Sequence, residues 1–179
     1  YNKRQSWHAV ALRSFGGDPA FIEKPAEMSR AWKTKHPELL EQPCVDTPLM
    51  DSLPEARKMM ERFRCDLERV RLMRLTPQGE LTRHADITDR NAGTADGQIV
   101  RLHLPIITDP AVTFTSWDLT DEPSTVHMNR NEWWYLDVRK PHAARNNSAI
   151  DRVHLVVDVV SNDWVRHVIR PTKAQCATT

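Results

Sequence analysis

His84-Ala85-Asp86 sets an imidazole and a carboxylate two residues apart. On a strand, positions i and i+2 project to the same side, so both groups can reach one metal ion. On a solvated loop after Leu81 the triplet has no such meaning, and spacing alone leaves both readings open. His142 follows a proline turn in Lys140-Pro141-His142-Ala143-Ala144-Arg145-Asn146, where an ordinary surface histidine is equally at home. Arg152 comes ten residues later. If His142 enters one strand of a hairpin that turns at Asn146-Asn147-Ser148, Arg152 lies on the returning strand, and both side chains can point inward. Two histidines and one carboxylate on one face of an iron ion leave three positions open, the facial triad of non-haem Fe(II) oxygenases. 2-Oxoglutarate can fill two of them through its keto oxygen and adjacent carboxylate, and O₂ the third. Its distal carboxylate is then buried, which is costly without a partner. A fixed arginine offering a bidentate, charge-assisted pair meets that need. His-x-Asp, His and Arg occur here in the required order.

Composition bounds the rest. The 179 residues suit one domain with a substantial core. A hydrophobic share of 40% and a charged share of 27% are those of a globular protein. The net charge of +1 gives no global field for nucleic acid or an anionic membrane. No apolar run approaches the roughly 20 residues that span a bilayer. Cys44, Cys65 and Cys176 are odd in number and widely spaced. That argues against a disulfide framework or a thiolate zinc site and makes the cytoplasm the default location. The chain begins at Tyr1 and not at methionine, so a preceding segment, a signal peptide included, stays open.

The elements that must position these residues read as one helix followed by many strands. Residues 1–50 are punctuated by prolines, with one strand over 7–13. A helix follows over 51–67, with Asp51 or Ser52 as cap and Pro54 in its first turn. Ala56, Met59, Met60, Phe63 and Leu67 form its apolar stripe. The period then falls to two. Residues 70–76, 99–107, 112–117, 125–128, 133–138 and 152–159 read as strands within a core over 70–160, separated by turn signals such as Pro77-Gln78-Gly79. A short helix over 161–170, capped by Ser161 and stopped by Pro171, ends the domain. The pattern is that of a mainly β, jelly-roll fold with flanking helices. Arg101 and His103 share one face of their strand, with Leu102 and Leu104 on the other; Arg152 and His154 alternate with Val153 and Leu155 in the same way. One such strand suggests a polar face in water. Two suggest a polar barrel interior suited to an anion, with the apolar face packed outward.

The segments RLHLPIITDP, EWWYLDVRKPHAARNNS and DRVHLVVDVVSNDW resemble the bacterial aspartyl/asparaginyl β-hydroxylase family of 2-oxoglutarate oxygenases, and WHAVALRSFGGDP resembles the opening strand of its free-standing members. The resemblance runs from about Trp7 to Trp164. It implies a double-stranded β-helix (cupin-like) core, His84, Asp86 and His142 as Fe(II) ligands, and Arg152 as partner of the distal 2-oxoglutarate carboxylate. It further implies Arg101 and His103 as cosubstrate contacts. Two departures stand out. The family's Arg-x-Gly-Glu turn is here Asn129-Arg130-Asn131-Glu132, without its glycine. The animal enzymes that name the family lack the aspartate ligand present here.

The expected reaction is hydroxylation of a C–H bond of an amino acid, free, carrier-bound or peptidyl, with O₂ as cosubstrate and succinate and CO₂ as coproducts. A cupin-like metal enzyme without 2-oxoglutarate and a non-catalytic binding domain on the same scaffold are the alternatives. Arg152 separates the first alternative and an intact triad the second. Trp133 is a candidate for the substrate pocket and Trp134 for the core. His154 is a candidate neighbour of the cosubstrate contacts, and Arg13 or Arg90 a candidate holder of a substrate carboxylate.

Overall fold

The alternating segments form two antiparallel sheets that face one another as a jelly roll. We describe a computed structural model in which residue 2 and residues 5–86 and 91–170 are placed. The strands are β1 (Trp7–Phe15), β2 (Cys44–Asp46), β3 (Leu67–Leu75), β4 (Glu80–His84), β5 (Ile99–Ile107), β6 (Val112–Trp117), β7 (Pro123–Val126), β8 (Trp134–Tyr135), β9 (His142–Asn146) and β10 (Arg152–Val160). The larger sheet has the order β2-β1-β3-β10-β5-β8 and the smaller one β4-β9-β6-β7. Helices α1 (Arg30–Lys35), α2 (Pro48–Asp51), α3 (Pro54–Met60) and α4 (Asp163–Val168) lie outside them. No helix among the described residues is long and apolar enough to cross a membrane.

The alternation has the polarity of a lined barrel. Leu102 and Leu104 of β5 and Leu155, Val157 and Val159 of β10 join Met50 of α2 and Met60 of α3 in one apolar layer outside the larger sheet. Each fully buried Leu or Val there contributes roughly 1.5–3 kcal/mol. The intervening residues Arg101, His103 and Arg152 face a cavity between the sheets. The fold therefore rests mainly on its outer layer, and the inner face of the larger sheet is left for polar work.

Several elements differ from the sequence-based expectation. The helix expected over 51–67 stops at Met60, where the N–H groups of Arg62 and Phe63 turn back to the carbonyls of Met59 and Met60 and close the helix. Phe63 keeps its packing role from the turn, and Leu67 opens β3 opposite Val159. The cap of α4 is Asn162, whose side chain accepts from the Val165 N–H; Ser161 instead donates to the Thr94 carbonyl. Of residues 133–138 only Trp134 and Tyr135 pair with β5. Asn131, where the family's turn has glycine, has φ of 65°, in the left-handed region that asparagine tolerates best after glycine. Cys44 and Cys65 are half-buried free thiols. Pro171, Arg90 and Cys176 lie outside the described residues.

The turn signal at Asn146-Asn147-Ser148 has a further effect. β9 and β10 do not form one hairpin: β9 pairs with β4 and β6, β10 with β3 and β5. The chain changes sheets there. Asn146, fully buried, donates to the carbonyls of Leu75, Thr76 and Ile150 and accepts from Ser148. This pin satisfies the backbone where the ladder breaks. It also sets His142 and Arg152 on opposite walls of one cavity.

Candidate active site

The first wall is a strand pair. His84 of β4 and His142 of β9 are directly opposed in the antiparallel register, with ring centroids 4.3 Å apart. Asp86 follows two residues after His84, its N–H held by the Val138 carbonyl. Ligand atoms of His84, Asp86 and His142 all lie within 4.8 Å of one another. Nδ1 of His84 bonds the Thr82 carbonyl at 2.8 Å, and Nδ1 of His142 the Lys140 carbonyl at 2.9 Å. A carbonyl only accepts, so each Nδ1 carries the proton and each Nε2 the lone pair. That is the tautomer a metal ligand needs, fixed by the backbone as at metal sites generally. Burial lowers the His142 pKa, which keeps the ring in its neutral, ligating form, and Phe114 stacks on it at 5.6 Å. Two imidazoles and one carboxylate fit Fe(II) or a similar divalent ion.

The second wall belongs to the larger sheet. Arg152 is 5% exposed, and its Nε has no hydrogen-bond partner. Beside it, Nδ1 of His103 lies 3.4 Å from Nδ1 of His154, and neither Nε2 has a partner. Desolvation, then the Arg152 charge, holds both rings well below the ordinary histidine pKa. Buried donors with nothing to donate to are costly. With both rings neutral, the Nδ1–Nδ1 bond leaves one of the two Nε2 atoms a donor. That N–H and Nε of Arg152 are donors an entering carboxylate would satisfy, so this wall fits the distal end of 2-oxoglutarate.

The histidine pair has a measurable consequence. The folded chain keeps both rings neutral, whereas the unfolded chain protonates them near the ordinary value of 6.5. Stability from this source is full above pH 6.5 and falls as pH drops below it, by up to about 1.4 kcal/mol per pH unit for each ring. Urea midpoints should decline from pH 7 to 5.5, and less steeply in His154→Gln. A variant as steep as the wild type would show that His154 is not the group involved.

Three arginines converge beyond the histidines. Arg69, Arg71 and Arg101 all donate to the fully buried Asp158, at 3.0, 2.8 and 2.8 Å. Burial alone would raise the Asp158 pKa; Arg101, Arg71 and Arg69 outweigh it and hold the carboxyl well below its usual range. Arg101 also bonds Asp86, tying the two walls together. The cavity between them is about 290 Å³.

All six residues singled out for metal and cosubstrate therefore line one cavity, and His154 packs behind His103. Others do not join them. Trp133 is 41% exposed and packs edge-on against Phe63 outside the cavity, while Trp134 packs with Met128 and Leu136. Arg13 pairs with Asp46 at the sheet edge, and Arg145 is exposed. Sequence reasoning missed Arg69, Arg71 and Asp158. The signal was present, since Arg69, Arg71 and Met73 alternate with Val70 and Leu72 just as Arg101 and His103 alternate with leucines. Starting that strand at residue 70 hid it.

Known proteins resemble this chain in sequence. The family model described as aspartyl/asparaginyl β-hydroxylase matches residues 1–162. An L-proline cis-4-hydroxylase from Rhizobium meliloti (strain 1021) is 28% identical over 138 residues, which is 76% of this chain and 46% of that protein. The chain thus spans less than half of that relative's length. A 2OG-Fe(II) oxygenase family oxidoreductase from Burkholderia pseudomallei superposes with a TM-score of 0.45 at 12% identity, over 88% of this chain and 68% of that one. A cupin domain from Bordetella pertussis superposes with a TM-score of 0.38 at 14% identity, over 56% of this chain and 88% of that one.

Proposed function

The chain belongs to the aspartyl/asparaginyl β-hydroxylase family, and from that premise we propose that it hydroxylates a C–H bond of an amino acid, using Fe(II), 2-oxoglutarate and O₂. The observation that carries the reading is the cluster of His84, Asp86 and His142, with both histidine tautomers set for ligation. In this reading those three residues hold the iron. When bound there with 2-oxoglutarate and O₂, the metal supplies the oxidising power for hydroxylation, with succinate and CO₂ as coproducts.

The chain's own residues do the rest. Arg152 and His103, both buried, receive the distal carboxylate of the cosubstrate from the opposite wall. Arg101 steadies the second oxygen of Asp86, so that one carboxylate oxygen faces the metal. Trp7, Phe114 and Leu136 give the cavity an apolar side against which a C–H bond can lie. The name of the Rhizobium relative supports a free amino acid as substrate. So does the cavity, whose volume of about 290 Å³ is at the small end for ligand pockets.

The test is a pair of measurements. Purified, iron-loaded protein should release succinate with an amino acid that gains one oxygen by mass. In anaerobic titrations His84→Ala should bind Fe(II) at least about 100-fold more weakly, beyond the 10–100-fold that changes around a metal's ligands cost, while circular dichroism stays unchanged. Unaltered iron affinity in that variant would remove His84 from the site.

A further inference from the structure

The inner face of the larger sheet has two cationic poles, and the proposed cosubstrate uses one of them. Val156 of β10 pairs with Arg71, four residues along the strand from Arg152; His103, opposite Val156 on the other side, turns its ring back towards that end to meet His154. At roughly 3.3 Å per residue, about 13 Å separates the Arg152 row from the Arg71 row. 2-Oxoglutarate has two carboxylates. In the reading above one lies beside the metal and the other on Arg152, so none is left for Arg71.

The Arg71 pole is nonetheless built for an anion. Arg71 is 5% exposed and lines the cavity; it gives one amino group to Asp158, and its Nε has no partner. Asp158 is already divided among three guanidiniums, so its charge does not cover theirs. Such clusters are often no more stable than apolar replacements of the same shape. Stability therefore does not account for the arginines, but anion binding does. Glu23 lines the same cavity, near enough for its charge to favour that of Arg71, and makes no hydrogen bond or ion pair among the described residues.

We propose that Arg71 and Glu23 form the subsite for the two charged ends of a free α-amino acid, Arg71 taking the carboxylate and Glu23 the ammonium. This rests on the hydroxylase reading and narrows its substrate. Charge balance supports it. Among the described residues, Arg69, Arg71, Arg101 and Arg152 stand against Glu23, Glu27, Asp86 and Asp158, four of each sign around the cavity. Fe(II) and 2-oxoglutarate add equal and opposite charge. A zwitterion preserves that balance, whereas a peptidyl or carrier-bound amino acid leaves the buried Arg71 unmatched at a desolvation cost, and an N-acylated one leaves the exposed Glu23 without its partner.

The experiment uses the iron-loaded full chain with 2-oxoglutarate and the standard free L-amino acids. The amino acid giving the most oxygenated product is then compared with its own N-acetyl and α-carboxamide derivatives. The α-carboxamide cap should lower kcat/KM by about 10³-fold or more, as expected where a site's buried polar group loses its partner. The N-acetyl cap, set against the exposed Glu23, should lower it by about 10-fold or more. Arg71→Gln should raise KM for the free acid roughly 10–100-fold and abolish the preference for acid over amide, with KM for 2-oxoglutarate little changed. Arg71→Lys should retain part of that preference. Glu23→Gln should abolish the preference for the free amine over the N-acetyl form. Asp158 keeps Arg69 and Arg101 in the Arg71 variants, which favours their folding. Capped substrates turned over as well as the free acid would overturn the subsite and leave the hydroxylase standing. So would an Arg71→Gln enzyme with an unchanged acid-to-amide ratio. No succinate with any amino acid would overturn the hydroxylase reading and this inference together.

Discussion

Replacing Arg152 with alanine is expected to raise the 2-oxoglutarate concentration for half-maximal turnover by two to three orders of magnitude while leaving Fe(II) affinity within about twofold. Removing one partner of a buried ion pair costs roughly 3–5 kcal/mol, and each 1.4 kcal/mol is a factor of ten. Two features favour the full cost. Arg152 is buried with an orphaned Nε, and its neighbours His103 and His154 are neutral. Iron binding should survive because His84 and His142 lie on the other sheet and Asp86 directly follows β4. Steady-state kinetics in 2-oxoglutarate, with anaerobic Fe(II) titration of the same preparation, separates the two. An unchanged 2-oxoglutarate requirement would move the protein to metal enzymes that need no cosubstrate.

Asp158→Asn should produce the largest loss of stability of any single substitution in the cavity, about 3–5 kcal/mol, against a usual total of 5–15 kcal/mol. Two buried guanidiniums and a part-buried one lose their shared anion, and among the described residues only Arg101 keeps a carboxylate hydrogen bond, to Asp86. Urea unfolding at pH 7 measures the loss. Adding Arg69→Met should recover part of it by removing one unmatched cation. A single variant as stable as the wild type would show that the cluster is not anchored on Asp158. Because the Asp158 pKa is depressed in the fold, its contribution is present above the ordinary value of 3.8 and is lost as pH falls through the folded value. That window lies well below the one set by the histidine pair.

Period was readable wherever one strand's contacts decide it. β5 and β6 span the expected 99–107 and 112–117, and β10 runs one residue beyond 159. Alternation of arginine and histidine with leucine and valine also told which face of β5 and β10 turns inward. What local sequence could not carry was the choice of partner. The spacing of Met59, Met60, Phe63 and Leu67 satisfies a helix, yet the same apolar cluster is reached from a helix, a turn and a strand in succession. Asn146-Asn147-Ser148 was recognisable as a turn, but its neighbours do not say whether the returning strand rejoins the same sheet. Asp158 became meaningful only when the register placed β3 and β5 on either side of β10.

His84 and His142 oppose one another across a single antiparallel pair, so their separation follows from strand pairing and not from the fit of distant surfaces. The larger sheet, which carries the arginines, is built from other strands. Substitutions on that wall can accumulate without moving the two imidazoles. Descendants of one such chain can thus inherit the proposed metal site unchanged while the opposite wall drifts, provided that the register of β4 against β9 is kept.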